Sequence, residues 1–150
     1  MHPEQKETLP LPDAVTHLLE ECRMVLPGLQ ALLGLQFIAV FNTGFGEKLT
    51  ATEQRLHVLA LGFVALAGAL VMAPAAYHRQ TGPQEVSAQF LTVASRLLLW
   101  AMIPLMLGIG IDFYVIARVI LSNHWLSVLL TLVLVSVFVY VWFLLPRLGR

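Results

Sequence analysis

Cysteine is almost absent. Cys22 stands alone, so the chain can form neither an intramolecular disulfide nor a cysteine zinc cluster. Charge is scarce too, at 12% of residues, where soluble domains carry about 25%. Neither sign is in surplus: nine basic and nine acidic residues cancel, which removes the basic footprint of a nucleic-acid binder. The sequence has no nucleophile elbow, phosphate loop, metal-ligand cluster or pair of catalytic carboxylates. It is therefore not expected to be an enzyme or to hold a cofactor or metal. The start lacks the basic region, short apolar segment and cleavage site of a secretory signal, so the first apolar segment is expected to stay in the protein.

What the chain has is hydrocarbon, at 58% hydrophobic residues and a mean hydropathy of +0.79. No Asp, Glu, Lys or Arg lies between Arg23 and Glu47, or between Arg55 and Arg79. A third stretch is interrupted only by Asp112 and Arg118, and a fourth runs without charge from Val119 to Pro146. Each supplies the roughly 20 residues that cross a bilayer core. The expected fold is all-α: a four-transmembrane-helix bundle with helices over residues 25–46, 56–77, 96–121 and 125–145. Pro104 lies inside the third.

Residues 1–12, with Pro3, Pro10 and Pro12, read as a disordered tail. Asp13 is placed to cap a helix. Val15, Leu18, Leu19, Cys22 and Leu26 follow at helical spacing, which predicts a short amphipathic interfacial helix over residues 13–26. Pro27 and Gly28 then turn the chain into a transmembrane domain over residues 27–150. Gly82 and Pro83 mark a turn. Arg23, Arg79, Arg96, Arg147 and Arg150 fall at one membrane face and Lys48, Arg55 and Arg118 at the other, so both termini are expected in the cytoplasm.

Asp112 is the sharpest polar signal. A carboxylate within a span costs about 2.5–3.5 kcal/mol on insertion scales, so it must be neutral, paired or facing a wet cavity. It reads either as a proton or cation site or as a structural hydrogen-bond anchor. Asn42, His57, Ser127 and Thr131 fall at similar depth and would form a polar layer with it. Gly108 and Pro104 share its helix face, leaving room for water or for a close neighbour. Arg118, six residues on, is not a local partner and is expected to reach outward to headgroups. Gln30 and Gln36 read as interhelical glue. Ala65, Ala69 and Ala73 form a small-residue stripe that permits close helix approach, within one copy or between copies. His17, His57, His78 and His124 all sit near helix ends, as interfacial histidines do; paired histidines holding a haem are the alternative.

The segment Glu21-Cys22-Arg23-Met24-Val25-Leu26-Pro27-Gly28-Leu29-Gln30 resembles the first signature of a bacterial family of small four-helix membrane proteins. Ala73-Pro74-Ala75-Ala76-Tyr77-His78-Arg79 resembles the second. The likeness is carried by residues 21–79 and by hydropathy beyond them. The family is functionally uncharacterised, though its members often carry a sodium:proton antiporter label. Val40 stands where a proline is expected before Phe41, which would remove a helix break. The resemblance implies an inner-face architecture built on Glu21, Arg23, Pro27, Gly28, Gln30, Pro74, His78 and Arg79. The expected function is an oligomeric transporter or channel for protons or small cations in the cell inner membrane. The alternative is a non-catalytic accessory or assembly subunit with protein partners. The lipid bilayer and further copies of the chain are the expected partners, and nucleic acid is not.

Overall fold

The computed structural model describes residues 10–81 and 87–148. The expected tail over residues 1–9, the Gly82–Pro83 turn and Arg150 lie outside them. The described chain is helical throughout. In order come α1 (Leu11–Val40), α2 (Thr43–Lys48), α3 (Ala51–Thr81), α4 (Ala88–Leu121), α5 (His124–Val139), a π-helical turn (Tyr140–Leu144) and α6 (Leu145–Leu148). Four helical segments are long and apolar enough to cross a membrane: α1, α3, α4 and the run His124–Leu148. This is the expected four-span, all-α membrane protein.

The boundaries differ from expectation, each for a local reason. The amphipathic segment over residues 13–26 does not turn at Pro27 and Gly28; it continues into the first span as one 30-residue helix. Pro27 removes a single backbone hydrogen bond, and the long helix absorbs it. Leu11 and Pro12, expected in the tail, are its first residues. Val15, Leu18 and Cys22 are buried in the same cluster as Phe90 and Ala94 of α4, so the amphipathic face packs on protein. The first span ends at Val40 rather than at residue 46, although no proline stands there. Asn42 causes the break: its backbone is extended and its side chain accepts the Gly44 N–H at 3.2 Å, starting α2. α3 begins earlier than expected, behind a reciprocal cap in which Thr50 N–H donates to Glu53 Oε2 at 2.9 Å and Glu53 N–H donates to Thr50 Oγ1 at 3.3 Å. Ser87 Oγ accepts the Phe90 N–H to cap α4, and Asn123 Oδ1 accepts the Leu126 N–H to cap α5.

α3 and α4 form the most extensive pairing, α1 lies against both, and α5 packs mainly on α4. On α3 the buried positions are Glu53, His57, Ala60, Val64, Ala67, Val71 and Pro74. They recur at alternating steps of four and three, the spacing that keeps a seam facing its neighbour. On α4 the buried Ala101, Pro104 and Gly108 lead up to Asp112 one turn further on. At Gly108 the helices touch: a Cβ there would lie 2.7 Å from Val64 Cγ2 and 2.9 Å from the Ala60 carbonyl oxygen. The small residues on the Asp112 face therefore serve close approach. Ala65 and Ala69 are exposed, outside this seam.

Candidate functional site

The α3–α4 seam ends, beside α2, in polar residues. His57 and Asp112 face each other across it with side chains only 8% and 14% exposed. His57 Nδ1 lies 2.8 Å from Asp112 Oδ1, and His57 Nε2 lies 3.0 Å from the backbone carbonyl oxygen of Gln36 on α1. Gln36 itself is buried, and its Nε2 donates to Asp112 Oδ2. Three helices thus meet at one carboxylate. Phe45 of α2 covers the His57 ring edge-on, with ring centroids 5.3 Å apart.

The donors and acceptors fix the proton count. Both neighbours of the imidazole are acceptors, a carboxylate oxygen and a carbonyl oxygen. Satisfying both takes two protons, one on Nε2 and one shared between Nδ1 and Asp112 Oδ1. The shared proton can sit on either side, as imidazolium with carboxylate or as imidazole with carboxylic acid. Both arrangements have zero net charge, which is what a buried pair requires. Removing that proton leaves a lone pair facing a carboxylate or a carbonyl. The pair is therefore a one-proton site whose hydrogen bonding depends on its occupancy.

Gln36 Oε1 is the one buried side-chain polar atom without a partner among the described residues. The amide orientation is set by Asp112, since a carboxylate only accepts. The oxygen is thereby left without a donor. Gln36, His57 and Asp112 line a cavity of about 610 Å³ between α1 and α4, open to the side. Leu32, Leu35, Ile109, Phe113 and Ile116 form its apolar walls, and Lys48 and Asn42 lie at the α2 end. Beside it Arg118 Nε is 3.6 Å from Glu53 Oε1, so Arg118 pairs within the protein rather than reaching only outward.

Of the expected polar layer, the structure joins His57 to Asp112 and leaves the rest apart. Asn42 borders the cavity, but its oxygen is used to cap α2. Thr131 is on α5, away from the cavity, and its hydroxyl donates to the Ser127 carbonyl at 2.8 Å. Ser127 is fully buried and donates in turn to the Asn123 carbonyl. Hydroxyls four residues from a helix carbonyl satisfy themselves locally, so similar depth brought no contact. Gln36 and Glu53 are the residues that sequence reasoning did not place at the site. Glu53 had a legible signal in its Thr50-x-x-Glu53 capping pattern.

At the opposite end of the bundle, the two signature segments meet. Arg23 and Cys22 of α1 and His78 and Arg79 of α3 line a second cavity of about 450 Å³. Glu21, Arg23, Pro27, Gly28, Gln30 and Arg79 are exposed, and Pro74 is fully buried in the seam. No ion pair joins Glu21 to Arg79 among the described residues. Gln30, expected as interhelical glue, faces outward.

The model of a family of unknown function, DUF6328, matches residues 12–146. The chain belongs to that family. No curated protein and no solved structure matches it.

Proposed function

We propose that this member of the DUF6328 family is a small oligomeric carrier that exchanges the proton held by His57 and Asp112 for a cation. The observation that carries the reading is the acceptor on each side of the His57 ring, at 2.8 and 3.0 Å. A merely structural anchor needs no such dependence on one mobile proton. The site lies in the span region, where ionisable residues are costly and mark candidates for function. The purified protein in liposomes is expected to move protons when a cation gradient is imposed, above the leak of empty liposomes. No flux under any gradient would replace this reading with that of an accessory subunit in a larger membrane complex.

We propose that the protein resides in the cell inner membrane with both termini cytoplasmic. The support is the excess of Arg at the end of the bundle that holds the termini. Reporter fusions at Arg150 and at Lys48 are expected to give opposite readouts, cytoplasmic for Arg150. A periplasmic signal at Arg150 would reverse the assignment.

Association between copies is supported by the outward Gly62, Ala65 and Ala69 on α3, which would let a second helix approach closely. Ala69 is exposed, so a larger side chain there does not collide with the monomer core. Ala69→Leu is expected to leave the helical fold intact and shift the protein to a smaller species in light scattering from lipid nanodiscs. A parent protein that is already monomeric in nanodiscs would rule out the assembly.

A further inference from the structure

We propose that the cavity beside Asp112 binds an organic ammonium ion with an apolar body, and that each ion bound displaces the proton of the His57–Asp112 pair. The inference rests on the exchange reading above and names the class of cation.

The cavity decides between inorganic and organic ions. A hard metal ion such as calcium takes about 6–8 oxygen ligands. At this polar corner the oxygens are those of Asp112 and Gln36, while the Asn42 oxygen is already bonded to Gly44. The remaining wall is aliphatic and aromatic: Leu32, Leu35, Ile109, Phe113 and Ile116. Its volume of about 610 Å³ is far larger than a dehydrated ion needs. It falls within the roughly 300–1,000 Å³ typical of pockets for organic ligands. The lateral opening between α1 and α4 gives an amphiphile entry from the bilayer.

The polar corner decides the head group. Gln36 Oε1 is buried and unpartnered, so it calls for a donor. When the shared proton leaves, Asp112 Oδ1 and His57 Nδ1 lose their common hydrogen, while Nε2 keeps its proton for the Gln36 carbonyl. Asp112 Oδ1 and His57 Nδ1, both on cavity-lining residues, then lack a hydrogen, and the buried Gln36 Oε1 of the neighbouring amide already does. A primary ammonium group has three N–H donors. Charge balances, because one cation enters the corner and one proton leaves it to bulk solvent. An anionic head is excluded by the same count, since it brings acceptors to acceptors.

The other charged groups around the pair are few. α1 has no charged residue beyond Arg23. α2 contributes Lys48 at the cavity's outer end, exposed to solvent and opposing a cation weakly. α3 and α4 contribute Glu53 and Arg118, which neutralise each other at 3.6 Å.

The test is calorimetric titration of the full-length protein in lipid nanodiscs with naphthylmethylamine as its ammonium ion, empty nanodiscs serving as the blank. Repeating it in two buffers of different ionisation enthalpy counts protons. About one proton is expected to leave per ligand, and affinity is expected to rise by up to about tenfold per pH unit while the free site is protonated. The alcohol with the same ring system lacks the charge, and the trimethylammonium analogue lacks the donors. Each is expected to bind at least about tenfold more weakly. Ile116→Trp fills the apolar wall and is expected to abolish binding. Equal binding of the three ligands, binding without proton release, or full binding by Ile116→Trp would overturn the proposal. Proton flux driven by sodium or potassium with no ammonium binding would overturn it and leave the carrier reading intact. Ammonium binding with proton release, in a protein that carries no flux, would uphold it and remove the carrier reading.

Discussion

Asp112→Asn is expected to fold like the parent and to carry no exchange, with proton flux at the level of empty liposomes. The reason is the hydrogen-bond inventory of its neighbours. In the parent, Asp112 takes the Gln36 amide on one oxygen and shares a proton with His57 on the other. An asparagine can accept from Gln36 through its oxygen and donate to His57 Nδ1 through its nitrogen. A neutral imidazole then keeps Nε2–H on the Gln36 carbonyl, and every bond in the cluster survives. What is lost is the exchangeable proton. Asp112→Ala differs, because it strips both partners at once. Breaking a buried pair on one side costs about 3–5 kcal/mol, so this variant is expected to unfold earlier and to be uninformative about transport. The pair of variants separates chemistry from architecture. Full flux in Asp112→Asn, measured beside the parent in the same vesicles, would show that the carboxylate is only an anchor.

The second large effect is expected one turn away, at Gly108. Gly108→Ala places a methyl carbon 2.7 Å from Val64 Cγ2 and 2.9 Å from the Ala60 carbonyl oxygen. Val64 is fully buried and stiff at its branched Cβ, and the Ala60 carbonyl is main chain, so both yield only if α3 moves. Overpacking of this kind costs about 1–3 kcal/mol. The same displacement separates His57 from Asp112, so stability and exchange should fall together. Gly34→Ala, on α1 and off the small-residue face of α3, is the control. Nothing lies within 4 Å of the Cβ it would add, and alanine is the better helix former by about 0.8–1.0 kcal/mol. Thermal unfolding followed by tryptophan fluorescence is expected to lower the midpoint for Gly108→Ala and to hold or raise it for Gly34→Ala. Equal midpoints would mean that α3 and α4 do not meet at Gly108.

The spans were legible because hydropathy in a membrane protein depends on composition more than on geometry. Four charge-poor stretches can hardly be anything else. The helix ends were less so. Asn42, Thr50 and Ser87 each act through a single side-chain bond to a backbone N–H, a signal easily lost beside twenty apolar residues. The small-residue stripe of α3 is not its seam within one copy, for a geometric reason. Ala65, Ala69 and Ala73 follow a strict four-residue step, which drifts around the helix by about 40° each time at 3.6 residues per turn. The true seam, Ala60–Val64–Ala67–Val71–Pro74, alternates four and three and drifts only about 20° per seven residues.

At the site, His57 and Asp112 were both visible as polar residues at similar depth, and both lie on their helices' seams. Thr131 shared the depth but not the facing direction, because α5 meets α4 on another side. Gln36 was legible as interhelical glue, as its bond from α1 to Asp112 on α4 shows, but not as a member of the site. Its importance comes from two atoms that sequence cannot separate: a backbone oxygen serving His57 and a side-chain nitrogen serving Asp112.

The unbroken course of α1 has a mechanical meaning. At 1.5 Å per residue its 30 residues form a rod about 45 Å long, well beyond the roughly 30 Å of a hydrocarbon core. Gln36 rides near one end of that rod, and Val15 and Leu18 are clamped against the bundle near the other. The two ends share one lever. A push on the clamped end is felt at the carboxylate through a stiff helix, and Pro27 is the point along it where a backbone hydrogen bond is missing and bending is easiest.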